Sequence, residues 1–308
     1  MSINWSLIPA LTVPGLAIGG VYALAAIGLV LIYRVSGVLN FAQGAVAMFA
    51  TFVAYQVSVV QGLPPVLGLL AALVAGALIG FVIEYFTIRP LTGRPPLTKV
   101  AITIGWLLIL QTAAGLIWGD TNYHSPVEVA PTNGFNVPGV NVVVGYDQLT
   151  IFLVALGLSS VVAAVLKYTT LGAAMRAVAD DPQAARLWGI NASMVTAASW
   201  MMGCAVAAVA GVLITPLINF NTYSLTIIVI DAFTAALIGR LVSLPWTMVG
   251  AVLLGLAEKY PIAFTSNGGA PEVARFILVL AALIIFFRPA AAGIRPRLLR
   301  LRPQAATA

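Results

Sequence analysis

No charged residue stands between Met1 and Tyr33, nor from Val35 to Ile83, Val100 to Gly119, Gln148 to Leu166 or Leu187 to Ile230. A helix needs roughly 20 apolar residues to cross about 30 Å of hydrocarbon. Each run meets that length, and the second and fifth are long enough to cross twice. Only 8% of the 308 residues are charged while 61% are hydrophobic, with mean hydropathy +1.04. That balance excludes a soluble globular domain. Because backbone polar groups in lipid must be satisfied within each segment, the chain is expected to be all-α, a polytopic membrane helical bundle.

Dividing the runs at their turns predicts crossings near 9–33, 41–60, 64–87, 100–118, 148–167, 194–217, 224–239, 245–263 and 272–287. The count is nine, or eight if the weakest segment, Tyr223 to Gly239, only half-spans. The turn "QGLPP" (Gln61–Pro65) splits the second run into a tight hairpin, since glycine and paired prolines end one helix and start the next. No basic residue precedes the first apolar core and Pro9 and Pro14 interrupt it, so it reads as a retained helix rather than a cleavable signal.

The charges that do occur set an orientation. With the N-terminus outside, thirteen of the fifteen basic residues, from Arg34 to Arg302, fall on one face. Lys/Arg excess in short loops marks the cytoplasmic side, so the C-terminus is placed in the cytoplasm. The opposite face keeps Asp120, Glu128 and Asp147, with Lys259 and Arg275 near helix ends where long side chains reach headgroups. The expected organisation is one transmembrane domain, 1–288, and a basic cytoplasmic tail, 289–308. The domain includes an extracytoplasmic loop, 119–147, and a cytoplasmic loop, 168–193. The tail is expected to adhere to anionic headgroups. The net charge of +6 has no soluble basic domain to carry it, so nucleic acid is not an expected partner.

Few residues offer chemistry. Cys204 is the single cysteine, read as a small buried residue, and His124 is the single histidine, read as a solvated loop residue. Neither a metal site nor a catalytic cluster is expected, and no paired acidic motif supports an enzyme. Pairs of glycines four apart, Gly15/Gly19, Gly76/Gly80 and Gly115/Gly119, fit close helix packing, because association in lipid depends on small residues.

Polar residues at membrane depth point to a pathway or to interhelical bonds. In "VLNFAQGAVAMF", Asn40 and Gln43 flank Phe41 just after the first crossing, and both readings stay open for them. Asp231 lies mid-segment in "TIIVIDAFTAALIGR"; an isolated carboxylate there must face a partner residue, another subunit or a solute. Glu84 and Glu258 lie near span ends and read as interfacial.

The inner loop "TTLGAAMRAVADDPQAARLWGIN" is polar and broken by proline. Asp181 before Pro182 is a helix start, since aspartate accepts from the first free N–H groups and proline suits the first helical position. The helix is predicted over Pro182 to Trp188, ending at Gly189. Leu187 and Trp188 supply apolar area; Gln183 and Arg186 supply a polar side. So short a helix is marginal alone in water and needs something to hold it.

This loop resembles the cytoplasmic coupling loop of the branched-chain amino-acid ABC permeases of the LivH/LivM type, and is closer to the LivH-like member. Thr170, Leu171, Gly172, Ala174, Arg176, Ala177, Ala179, Ala184, Ala185, Gly189, Ile190 and Asn191 carry the pattern. Other similar stretches follow in order: "YALAAIGLVLIYRVSGVLNFAQG", "RPLTGRPPLTKVAITIGWLLILQ", "AGVLITP" and "FFRPAAAGIRP". The resemblance implies a permease subunit of an ATP-driven importer in a bacterial or archaeal cytoplasmic membrane. It implies pairing with a second homologous permease or a second copy, two cytoplasmic ATP-binding subunits, and an extracytoplasmic solute-binding protein. Asp181, Pro182, Gln183, Ala184, Ala185, Arg186, Leu187, Trp188 and Gly189 then form the segment that meets the ATPase. Asn40, Gln43 and Asp231 are the residues placed along the solute path. No cofactor is expected on this chain, which lacks the G-x-x-x-x-G-K-[ST] phosphate loop, so ATP is hydrolysed by the partners.

One stretch departs from the pattern. Where the family commonly reads like GG-x-GS-x-PGA, this chain has "GRLVSLPWT", with Arg240, Val242 and Trp246 in place of glycines. Branched-chain or related amino acids lead as the expected solute, and urea, short amides, other amino acids and small organic acids remain alternatives. A stand-alone ion-coupled carrier is the competing class, for which Asp231 is the one mid-span acid.

Overall fold

A computed structural model describes residues 7–119, 124–131, 133–137, 142–218, 220–264 and 269–286. The basic tail 289–308 and Asp120 lie outside the described residues. Of the described residues, 82% are helical. Among the described residues, seven helical stretches are long and apolar enough to cross a membrane: Ile8–Ser36, Gln43–Val60, Pro65–Leu91, Pro96–Trp118, Tyr146–Tyr168, Ala192–Leu217 and Leu244–Phe264. The two other predicted crossings are also helices, Thr222–Ile238 and Ala270–Phe286, of 17 residues each. At 1.5 Å per residue each is only about 26 Å long, a marginal reach across hydrocarbon.

Two helices form the centre. Helix α1 (Leu7–Ser36) is buried along nearly all its length, and α8 (Ala192–Ile214) along most of it. Helices α2 (Gln43–Tyr55), α9 (Thr222–Ile238) and α10 (Leu244–Lys259) pack on this pair. Helices α3 (Pro65–Val82), α4 (Pro96–Trp118) and α5 (Tyr146–Tyr168) turn much of their apolar surface outward. Exposed Leu70, Val74, Leu108, Leu116 and Leu153 on them suit hydrocarbon, which solvates apolar side chains as a core does.

Close approach at the centre depends on glycine. A Cβ placed on Gly255 of α10 would meet the Gly15 carbonyl oxygen at 2.3 Å and the Gly19 nitrogen at 2.5 Å on α1. A Cβ on Gly28 of α1 would lie 2.4 Å from the Gly203 carbonyl oxygen of α8. The glycine pairs Gly15/Gly19 and Gly76/Gly80 are therefore packing sites, the latter against Trp200, Cys204 and Ala208. Gly119 is not: it caps α4 with φ +90° and has open space around it.

Prolines and glycines punctuate as the sequence predicts. Gly62 takes φ +69° in the hairpin turn, and Pro65 opens α3. Two π-helical turns end the hairpin helices, Gln56–Val60 after α2 and Ile83–Ile88 after α3. The second corrects the interfacial reading of Glu84. A π turn brings residues five apart onto one face. The buried Glu84 carboxylate thus receives Arg89 as a two-point pair, Nη2 at 3.0 Å and Nε at 3.3 Å.

The outer loop holds a small hairpin, β1 (Gly134–Val137) antiparallel to β2 (Val142–Gly145), in register Gly134↔Gly145 to Val137↔Val142. In the turn after α9, Arg240 and Leu241 both take left-handed backbone, φ 54° and 57°. That conformation disfavours side chains bearing a Cβ, which accounts for a glycine at the position of Arg240 in the similar pattern but not at those of Val242 and Trp246, which do not take it.

Candidate functional site

Asn40 and Gln43 are both buried. The Asn40 Oδ1 accepts from the Ala42 N–H at 3.1 Å, and its Nδ2 donates to Gln43 Oε1 at 2.9 Å. Gln43 Nε2 in turn donates to the Gly203 carbonyl at 3.0 Å, beside Gly28. The two amides thus shape the turn into α2 and tie it to α8. Buried amides bonded on both ends hold one geometry, because an unmade bond there costs about 1–3 kcal/mol. Gln43 also lines a narrow crevice with Gly44, Ala47, Ala207, Gly211 and Val229. Cys204 is buried beside the pair, its Sγ 3.9 Å from Asn40 Nδ2, as a small buried residue should be.

Asp231 is paired within the chain. Arg275 on α12 (Ala270–Phe286) places Nη1 at 3.3 and 3.2 Å from its two carboxylate oxygens. Arg275 does not reach toward headgroups as its position near a helix end implied; α12 packs on α9 and α10, which turns the guanidinium inward. Glu258 is likewise drawn into the bundle, accepting from the Tyr22 hydroxyl at 2.7 Å and standing 3.9 Å from Arg275 Nη1. These groups line a cavity of about 340 Å³ with Ile214, Ile218, Ser224 and Ile228. Asp231 stands out in the sequence, but its partner does not, lying 44 residues away on a different helix.

The inner loop is more structured than expected. Before the predicted helix stands α6 (Thr170–Asp180), capped by Thr169, whose hydroxyl accepts from the Gly172 N–H at 3.1 Å. Arg176 donates from Nη1 back to the Leu166 carbonyl in the last turn of α5. The predicted helix is α7 (Pro182–Leu187), and Asp181 Oδ1 accepts from Gln183 N at 2.8 Å and Ala184 N at 3.1 Å. It ends in a Schellman motif: Ile190 N donates to Ala185 O and Gly189 N to Arg186 O, both at 3.0 Å, with Gly189 at φ +80°.

What holds this short helix is Ala185, buried in an apolar cluster with Leu31 and Val35 of α1, Met175 and Val178 of α6, and Ala192 and Val195 of α8. Its other face is open. Gln183 and Arg186 are exposed, and Leu187 and Trp188 are 89% and 88% exposed. A packed inner face and a bare outer face make α7 a rigid knob at one end of the bundle.

His124 is not a solvated loop residue. Its Nε2 lies 3.1 Å from the Trp118 carbonyl, and its backbone bridges to Phe220. Its ring meets Phe52 and Tyr55 edge-on, with centroids at 5.1 and 5.2 Å. Trp118 stacks on Phe52 in the same cluster. No local sequence signal foretells this, because the aromatics come from four separate segments.

Comparisons with known proteins bear on the family of the chain as a whole. The profile of the family described as branched-chain amino acid transport system / permease component matches residues 11–288. The chain is 33% identical over 293 residues to the high-affinity branched-chain amino acid transport system permease protein BraD of Pseudomonas aeruginosa, covering 90% of this chain and 92% of that one. It is 31% identical over 284 residues to LivH of Escherichia coli, covering 88% and 91%. A probable LivH of Methanocaldococcus jannaschii is 28% identical over 276 residues, covering 85% of each chain. Among solved structures, PsaBC from Streptococcus pneumoniae in complex with Fab shares the fold, with a TM-score of 0.50 at 16% identity over 88% of this chain and 90% of that chain. On the matched span and the identity to these relatives, the chain belongs to the branched-chain amino acid transport permease family.

Proposed function

We propose that this chain is the membrane-spanning subunit of an ATP-driven importer that moves branched-chain amino acids across a bacterial or archaeal cytoplasmic membrane. The observation that carries the reading is α7: a helix capped at both ends, seated on Ala185 and bare on its outer face. A helix anchored this way to α1, α6 and α8 transmits a displacement of its outer face into the two central helices. That is the mechanical requirement on a subunit driven by a separate ATPase.

The basic excess places α6 and α7 in the cytoplasm, where two ATP-binding subunits dock on Asp181 to Gly189 and hydrolyse ATP. The cavity around Asp231 lies at the other end of α8 and faces the side from which an extracytoplasmic binding protein delivers solute. Asn40 and Gln43 lie between the two ends, with a second permease subunit, homologous or identical, completing the path. Alternating access then follows from helix movements coupled to closure of the ATPases.

Reconstitution of this chain with its partner subunits in liposomes tests the proposal. Leucine uptake should require ATP on the ATPase side and the loaded binding protein on the other. Uptake proceeding equally without ATP would overturn it. Pairing of Asp231 with Arg275 also weakens the case for a stand-alone ion-coupled carrier, since the mid-span acid already has its counter-charge within the chain.

A further inference from the structure

We propose that the cavity between α1, α8, α9, α10 and α12 binds the zwitterionic head of an α-amino acid, its carboxylate on Arg275 and its ammonium between Asp231 and Glu258. The inference rests on the importer reading and specifies what the path recognises.

Three observations carry it. First, the guanidinium is only partly used. Both Asp231 oxygens converge on Nη1, at 3.3 and 3.2 Å, whereas Nη2 approaches only Glu272, at 3.6 Å. Among the described residues no acceptor lies within hydrogen-bond distance of Nη2. Arginine carries five N–H donors in a fork that suits a carboxylate two at a time, so one edge is free to receive another.

Second, the acids on the cavity wall outnumber the cations. Asp231 and Glu258 face Arg275 there, and Tyr22 gives Glu258 a neutral hydrogen bond. Lys259 stands 3.5 Å from the Oε1 of Glu258 but is not part of the lining. An ammonium adds a counter-charge beside Asp231, which shares its one cation with Glu258 and Glu272, and a carboxylate answers the guanidinium edge that Asp231 does not bond. A ligand bearing both leaves the charge of the site unchanged, which matters where water is scarce.

Third, apart from Ser224, the remaining wall is aliphatic. Ile214, Ile218 and Ile228 line the same cavity, and its volume of about 340 Å³ lies within the range of small-ligand pockets, about 300–1,000 Å³. A head recognised by charge beside a branched apolar wall describes an amino acid with an aliphatic side chain. A pair serving only to pack α12 would need neither the cavity nor the free guanidinium edge.

The test uses the assembled transporter in nanodiscs without the delivering protein, with radiolabelled leucine as probe. Leucinamide, which lacks the carboxylate, and 4-methylpentanoate, which lacks the ammonium, serve as competitors. Leucine should bind saturably, and each competitor should be at least about tenfold weaker. Arg275→Gln should weaken leucine at least about tenfold while leaving leucinamide unchanged, and Arg275→Lys should recover part of the loss. A change in packing alone would move both ligands together. Ser224→Phe, which adds a ring to the cavity wall and keeps every charge, should abolish binding even if Arg275→Gln fails to assemble.

Competitors equal to leucine, or unaltered leucine binding in an assembled Arg275→Gln or Ser224→Phe transporter, would overturn the site. If the wild-type transporter imports leucine with ATP and the variants import it equally, the site alone fails. If the wild type imports no amino acid, the importer reading fails.

Discussion

The same substitution, glycine to alanine, should have opposite consequences at two positions of this bundle. At Gly255 the new Cβ would stand 2.3 Å from the Gly15 carbonyl oxygen and 2.7 Å from the Gly19 Cα. A carbon–oxygen contact tolerates about 3.3 Å, so α1 and α10 would have to separate by about 1 Å. Overpacking costs about 1–3 kcal/mol. Here the obstacle is backbone that cannot swing away, so the upper value applies; set against about 1 kcal/mol of helix propensity gained by losing glycine, the net is ~2 kcal/mol of destabilisation. At Gly157 in α5 nothing lies within 4 Å of the new Cβ. That variant keeps the propensity gain, about 0.5–1 kcal/mol, and meets no obstacle. The assay is the thermal midpoint of each variant in nanodiscs, where a kcal/mol corresponds to about 2–4 °C for chains of about 150–250 residues. Gly255→Ala should fall by several degrees, and Gly157→Ala should match or exceed the wild type. Equal midpoints for the two variants would refute the claim that backbone contact between α1 and α10 sets the bundle's central packing.

Three further outcomes are expected. Asp181→Ala removes both bonds that start α7, a loss of about 1 kcal/mol local to that helix, so ATP hydrolysis should persist while leucine transported per ATP falls; an unchanged ratio would count against a coupling role. Gly189→Pro forbids φ +80° and deletes the N–H that donates to Arg186, so uptake should be lost with normal membrane insertion, measured by membrane fractionation and uptake together. For the partly buried pair, a double-mutant cycle with Asp231→Asn and Arg275→Gln should show coupling of about 1–2 kcal/mol in the nanodisc melting assay, between the values for surface and buried pairs. Coupling near zero would show that the two charges do not support each other.

The long apolar helices were legible because lipid imposes a rule on composition: charge is excluded over a fixed length, and that exclusion is visible one segment at a time. The ends of α7 were legible for a similar reason. Asp181, Pro182 and Gly189 act on backbone groups within a few residues of themselves, so their effect needs no tertiary context. What escaped was whatever depends on which helices become neighbours. Arg275 read as a headgroup contact because nothing local says that α12 lies against α9. His124 read as a loop residue because its aromatic neighbours Phe52, Tyr55 and Phe220 are dispersed along the chain. Glu84 was misread through a different gap, since a π turn shifts facing residues from four apart to five. Helix α6 was missed because its only apolar face, Met175 and Val178, is completed by contacts from α1 and α8.

The bare face of α7 has a cost whenever the subunit stands alone. Leu187 and Trp188 pack against almost nothing among the described residues of this chain, each forgoing about 1.5–3 kcal/mol that burial would return. Because Ala185 fixes the helix from beneath, the two side chains cannot fold back to shelter themselves. On the proposed docking role, a chain synthesised in excess of its partner displays an adhesive spot, open to self-association and to the chaperones and proteases that recognise exposed apolar groups. On that role, stoichiometric synthesis with the partner becomes a condition of the subunit's survival in the cell, imposed by the last residue of a six-residue helix and its C-cap.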